Sequence, residues 1–248
     1  MLTSLTIFVK LGSLAESAVM SKPLRCLSVF GGLIAFFIAL TSHASAQSIA
    51  PENELSFYSG LQTAPHSRVR GTDPGGVGAF SFLATWEGKS FEAPPHYGFR
   101  YTRWTSNTLG FGIDFNHAKV YSDQATRTAN GFTKLEFTDG LNVVTANAWR
   151  RWPGAFGDSF TPYVGAGIGL SIPHVDVETS GGKTFEYQVT GPAAMWAAGI
   201  KYNVNDRWGI FGEYKGTYSQ NEADLSNGGT LSTDVVTNAI NLGVTFNF

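Results

Sequence analysis

The sequence predicts an all-β fold, a transmembrane up-and-down antiparallel β-barrel of about eight strands with long extracellular loops. Three observations lead there. The chain closes on Ile240, Leu242, Val244, Phe246 and Phe248 alternating with Asn241, Gly243, Thr245 and Asn247. A period of two that puts apolar residues on one face and ends on an aromatic is how bacterial outer-membrane barrels finish. Glycine (29 residues) and aromatics (19 Phe, 9 Tyr, 6 Trp) are abundant while only 15% of residues are charged, which suits strands facing lipid on one side and a polar interior on the other. Finally, similar alternating segments recur between turn signals along the rest of the 248 residues. The net charge of −2 supplies no basic excess for phosphate backbones, so no nucleic-acid partner is expected.

The elements follow in chain order. Lys22 and Arg25 precede the apolar stretch 27–40, and Ala44, Ser45 and Ala46 offer the small residues of a cleavage site. Residues 1–46 therefore read as a signal peptide, with Met20 as a possible true start, and 47–248 as the barrel. The single cysteine, Cys26, falls within the leader. Expected strands are 54–62, 96–104, 109–119, 142–152, 161–171, 193–202, 208–218 and 237–248. Three short connections, 106–108, 153–160 and 204–206, are expected to be periplasmic turns. An even strand number places both termini in the periplasm. Residues 77–86 would break that parity as a ninth strand and are expected to extend a hairpin above the membrane. Trp104, Trp149, Trp152, Trp208 and Tyr202, near strand ends, are expected to form interfacial girdles. The export signal and pattern imply insertion by the barrel assembly machinery into the outer membrane.

An eight-stranded barrel is just filled by its own side chains, which excludes a general porin. Arg100, Asp114, Asn116, Asn147, Glu213 and Lys215 hold the inward phase and are expected to pair inside. Gly165, Gly167 and Gly169 share one face, making room for bulky neighbours.

The histidines beyond the leader, His66, His96, His117 and His174, all fall at or above the outer strand ends. His174, Asp176 and Glu178 project from one face of an extended segment. With His66 from another loop they are the expected ligands of a divalent metal ion of unknown identity. A solvated strand extension is the alternative for this row. His66 and His96, the latter sharing the inward phase of Arg100, are the candidate catalytic groups. His117 continues the lipid-facing phase, as an interfacial residue would. Arg68, Arg70 and Lys119 are the expected substrate-binding cations. Acidic residues outnumber basic ones in the outer connections, so an anionic headgroup would need local basic pairs or bridging cations. Adjacent His66 and Ser67 do not make a triad, because neighbours on a strand face opposite ways.

Four phrases carry a family resemblance: Leu61-Gln62-Thr63-Ala64-Pro65-His66-Ser67-Arg68-Val69, Trp86-Glu87-Gly88-Lys89-Ser90-Phe91, Leu135-Glu136-Phe137-Thr138-Asp139-Gly140-Leu141-Asn142 and Gly212-Glu213-Tyr214-Lys215. Through them the chain resembles the outer-membrane lipid A oxidases of root-nodule bacteria and their relatives, over almost all of the expected mature chain. The resemblance implies oxidation of the proximal glucosamine of lipid A to 2-aminogluconate, with molecular oxygen as co-substrate, hydrogen peroxide as product and dependence on a divalent cation. Lipid A, or lipopolysaccharide in the outer leaflet, is then the partner. A non-enzymatic surface or structural barrel and a lipid A deacylase are the alternative functions.

Overall fold

The structure, a computed structural model, describes residues 52–248; the expected leader lies outside them. Thirteen strands and one short helix are described: β1 (Glu52–Thr63), β2 (Ser67–Asp73), β3 (Gly78–Ala84), β4 (Trp86–Glu87), β5 (Tyr97–Trp104), β6 (Leu109–Ser122), α1 (Gln124–Asn130), β7 (Phe132–Arg151), β8 (Phe160–Ser171), β9 (His174–Thr179), β10 (Gly182–Tyr187), β11 (Gly191–Asn203), β12 (Trp208–Asp224) and β13 (Thr230–Asn247). Eight close a ring of antiparallel neighbours in the order β1, β5, β6, β7, β8, β11, β12, β13 and back to β1. These are the eight expected strands. Residues 77–86 do contribute to a hairpin, β2–β3, whose β2 strand pairs with β13 over residues 69–72. The expected short turns share one end of the barrel with the chain termini, here the terminal end; the opposite end is the loop end.

The pleat separates two environments. Outward positions stay apolar and open: Phe111 is 50% exposed, Ile113 58%, Ile240 61% and Leu242 75%. Inward positions carry charge that is paired. Near the middle, Arg100 Nε bonds Asp114 Oδ2 at 3.0 Å and Arg100 Nη2 bonds both Glu213 oxygens at 2.9 and 3.0 Å. Lys215 bonds Asp114 and donates to the Tyr58 hydroxyl at 2.5 Å, while Tyr163 donates to Glu213 at 2.9 Å. Two cations and two carboxylates thus neutralise one another. Towards the terminal end, Lys201 pairs with Glu54 and Arg151 with Glu52, each at 2.7 Å. The adjoining cavity, bordered by Arg100, Trp104 and Lys201, is about 20 Å³, space for one water and no channel.

Two expected girdle residues belong to this interior instead. Trp104 and Trp149 are buried, and the guanidiniums of Arg151 and Arg100 stack on them at 4.0 and 4.1 Å. The reason is phase: Trp104 shares the inward parity of Arg100, and Trp149 that of Asn147. Trp208 and Tyr202 remain exposed outside. Gly165 makes the expected room, since a Cβ there would stand 2.1 Å from the Trp149 ring.

Above the open apolar belt the strands run on and the interior changes character. Val69, Val120, Leu135, Phe137, Val175 and Leu231 belong to one buried apolar cluster. The β2–β3 hairpin packs over it through Phe80 and Phe82, each edge-on to Phe132. Asp73, at the hairpin tip, ties three turns together: it accepts from Thr179 Oγ1 at 2.6 Å, from the Val77 N–H at 2.9 Å and from the Asn227 amide. Burial alone would raise the Asp73 carboxyl, but these donors outweigh it and hold the group below its ordinary range. A depressed folded value stabilises above the unfolded value, and that stabilisation is lost as pH falls through the folded one. Asp73→Asn should therefore weaken the cap by about 2–3 kcal/mol at neutral pH and remove the acid sensitivity of its closure. Hydrogen exchange at the 73–78 turn, followed from neutral to acid pH in both proteins, checks this; equal acid profiles would contradict it.

Candidate functional site

The cap changes which of the candidate residues can act. His96 is fully buried, with Nδ1 2.9 Å from the His117 carbonyl and Nε2 2.9 Å from Asn241 Oδ1. Both ring nitrogens are engaged in holding strands together, and the mouth into which His96 was expected to point is filled. It is a structural residue here. His66 is exposed between β1 and β2, while His174, Asp176 and Glu178 lie on β9, which is built onto β7. The β2 strand that follows His66 is rooted on β13, four strands from β7 around the ring. Asp176 is bonded by Lys134 at 2.8 Å, and Glu178 faces Lys183 at 3.7 Å. That contact with Asp176 raises the Lys134 ammonium above its ordinary value. Lysines therefore occupy the carboxylates expected to bind metal. Among the described residues no group of three or more His, Cys, Asp or Glu side chains is spaced to hold a metal ion. The expected set of His66, His174, Asp176 and Glu178 does not fit one.

The expected substrate cations are likewise divided. Arg68 and Arg70 project from the exposed side of the β2–β3 hairpin, whereas Lys119 is buried on β6 with its ammonium 4.9 Å from the Tyr121 ring centre. Ser67 is no nucleophile for His66: its hydroxyl pairs with Thr233 at 2.8 Å and accepts from Trp86 Nε1 at 2.8 Å.

A different cluster forms on the outer flank, where β5, β6, β7, β9 and β10 rise out of the lipid-facing belt. His117 is in the outward phase, as expected, yet only 3% exposed. Its ring stacks on Tyr97 at 4.9 Å, and Tyr97 in turn packs on the belt residues Phe99 and Phe115. His117 Nδ1 lies 2.9 Å from Asn142 Oδ1. An amide oxygen only accepts, so Nδ1 carries the proton and Nε2 presents a lone pair. Nε2 is buried with no hydrogen-bond partner.

The β7 strand shapes the other side. Its register against β6 jumps from Ala118 opposite Leu141 to Val120 opposite Phe137, leaving residues 138–140 opposite Lys119 alone. This β-bulge re-aims Asp139 onto the flank. Gly140 sits at φ 94° over the His117 ring, 2.2 Å from where its own Cβ would be; only glycine allows both the conformation and the approach. Asp139 Oδ2 lies 3.9 Å from His174 Nδ1, a second buried nitrogen without a hydrogen-bond partner. Phe185 and Tyr187 pack edge-on to the His174 ring at 4.3 and 4.6 Å. Partial burial and the nearby Asp139 charge raise the Tyr187 phenol. Asp139, Asn142, Tyr97 and Tyr187 were not singled out from sequence, although Asp-Gly within an alternating strand is a bulge signal.

A closed antiparallel ring of eight strands with an apolar outer belt, a paired polar lumen and its polar cluster on the outer wall defines a small membrane-spanning β-barrel. The model of the outer membrane protein beta-barrel domain matches residues 33–248, and the chain belongs to that family. Among solved structures, it is similar to the outer membrane protein AlkL in lipid bilayers (16% identity, 84% of this chain and 97% of that one, TM-score 0.45). It is also similar to Neisserial surface protein A (14%, 83% and 100%, 0.44) and to Ail, the attachment invasion locus protein of Yersinia pestis (14%, 81% and 100%, 0.38). None of the curated proteins compared with the chain matches it.

Proposed function

We propose that this chain is an outer-membrane enzyme that oxidises the proximal glucosamine of lipid A to 2-aminogluconate with molecular oxygen. In this reading the loop end faces the cell exterior, both termini are periplasmic, and lipid A arrives sideways from the outer leaflet. One observation carries it: three of the phrases that resemble the lipid A oxidases, spread over residues 61–142, meet at the loop end beside the lipid-facing belt. Gln62 bonds Ser90 through both its N–H and its carbonyl, at 2.8 and 3.1 Å. Ser67 holds Trp86, and Trp86 stacks on Phe137 at 6.4 Å. The same stretch of β7 then supplies Asp139, Gly140 and Asn142 around His117. The fourth phrase supplies Glu213 and Lys215 to the lumen network, a scaffold role.

The reaction balances as the ring-opened C1 aldehyde, dioxygen and water giving the carboxylic acid and hydrogen peroxide. Aromatic side chains at the belt would hold the headgroup level with the flank. Incubating the purified protein in detergent with lipid A bearing a free C1 hydroxyl tests the reading. A mass gain of one oxygen atom, with peroxide, is expected in air and not under nitrogen. Unchanged lipid A beside a folded barrel contradicts it and favours a non-enzymatic surface barrel. Fatty acid released without oxygen identifies a deacylase.

A further inference from the structure

We infer that Arg103 and Arg150 form a binding site for the phosphodiester of an anionic phospholipid, on the outer wall at the terminal end of the barrel. Both hold outward positions, Arg103 in phase with Phe99 and Tyr101 on β5, and Arg150 in phase with Ala146 and Ala148 on β7. Among the described outward residues of the eight ring strands, from that end up to the apolar belt, they are the charged ones, and no carboxylate accompanies them there. Their cross-strand neighbours do not satisfy them. Arg103 stands opposite Phe111 on β6 and Asn53 on β1, and Asn53 Oδ1 already accepts from the Tyr101 hydroxyl at 2.9 Å. Arg150 lies between Leu109 on β6 and Val164 on β8, both apolar. Its Nη1 donates to Thr108 Oγ1 at 3.1 Å, while its Nε is buried with no hydrogen-bond partner. On a wall that faces lipid, such donors need an acceptor that the bilayer itself supplies. Phosphate oxygens are those acceptors, and a guanidinium engages them through two parallel N–H groups. The spacing fits one headgroup. With β6 between them, the β5 and β7 backbones stand about 10 Å apart, and Arg103 opposite Phe111 against Arg150 opposite Leu109 adds an offset of about 7 Å along the strands. Two extended arginine side chains bridge that gap over Leu109 and Phe111, and Phe111, 50% exposed, offers an acyl chain its apolar face. The site does not rest on the proposed oxidation.

Phosphatidylglycerol is the probe, titrated into the purified, folded barrel in non-ionic detergent and read as retained lipid by native mass spectrometry. One lipid should stay bound per barrel, and phosphatidylcholine, whose headgroup carries no net charge, should be retained less. Arg103→Gln and Arg150→Gln should each weaken phosphatidylglycerol binding about tenfold or more. Arg207→Gln, which removes an exposed cation from the β11–β12 turn, should leave it unchanged. Undiminished binding in the double variant, equal retention of phosphatidylcholine, or displacement of the lipid by inorganic phosphate overturns the assignment. If the variants fail to fold, wild-type protein in phosphatidylglycerol bilayers decides alone. Lipid phosphorus should then dephase the guanidinium nitrogen signals of Arg103 and Arg150 in solid-state NMR but not those of Arg100 in the lumen; no dephasing at 103 and 150 overturns the site.

Discussion

Arg100→Met should destabilise the barrel by about 3–5 kcal/mol, the usual consequence of removing one member of a buried ionic network. The guanidinium bridges Asp114 and Glu213 and stacks on Trp149. Without it, two carboxylates face Lys215 alone, and one negative charge is left uncompensated in a closed lumen. The loss comes from that stranded charge and not from the bridge as such. Replacing all four groups, as Arg100→Met, Asp114→Leu, Glu213→Leu and Lys215→Met, should therefore recover most of the stability. Urea unfolding in detergent micelles, read by tryptophan fluorescence, separates the two proteins. A single variant within about 1 kcal/mol of wild type, or a quadruple variant no better than the single, would show that the network does not hold the wall together.

Much of this architecture was legible from alternation alone. The C-terminal run from Ile240 to Phe248 reads correctly because one face meets lipid and the other a polar lumen, so the period of two survives intact. The loop end is different. There Val120, Leu135 and Val177 point inward to an apolar cluster while Lys134 and Asp176 point out, inverting the pattern of the wall below. Alternation still marks strands there but no longer says which face is the core. The expected strands accordingly stop at 119 and 218, whereas β6 reaches Ser122 and β12 reaches Asp224.

The site was legible only in part. His174 was chosen, but with Asp176 and Glu178, because a shared face on one strand says nothing about the neighbouring strands. Lys134 comes from β7 and Lys183 from β10, and both occupy those carboxylates. His96 was assigned to an open mouth, which the β2–β3 hairpin covers. Asp139 appears in the sequence only within a family phrase, without a site role, because only the β6–β7 register shift turns it to the flank, and such a shift depends on pairing between segments.

In the proposed function, lipid meets the chemistry-bearing groups from outside the wall. Tyr187 is 57% exposed over the flank cluster, beside Phe185 at 56%, and belt residues such as Ile113 lie on the same outer surface. Asn116 faces the closed lumen, and Arg70 lies on the exposed hairpin face. A photo-reactive benzoylphenylalanine placed as Tyr187→Bpa should capture lipopolysaccharide in intact outer membranes, whereas Asn116→Bpa and Arg70→Bpa should not. The direct measurement is therefore the cross-linked yield at these three positions: strong adducts at 187 with none at 116 or 70 are predicted, and adducts from 116 or 70 with none at 187 would contradict lateral access.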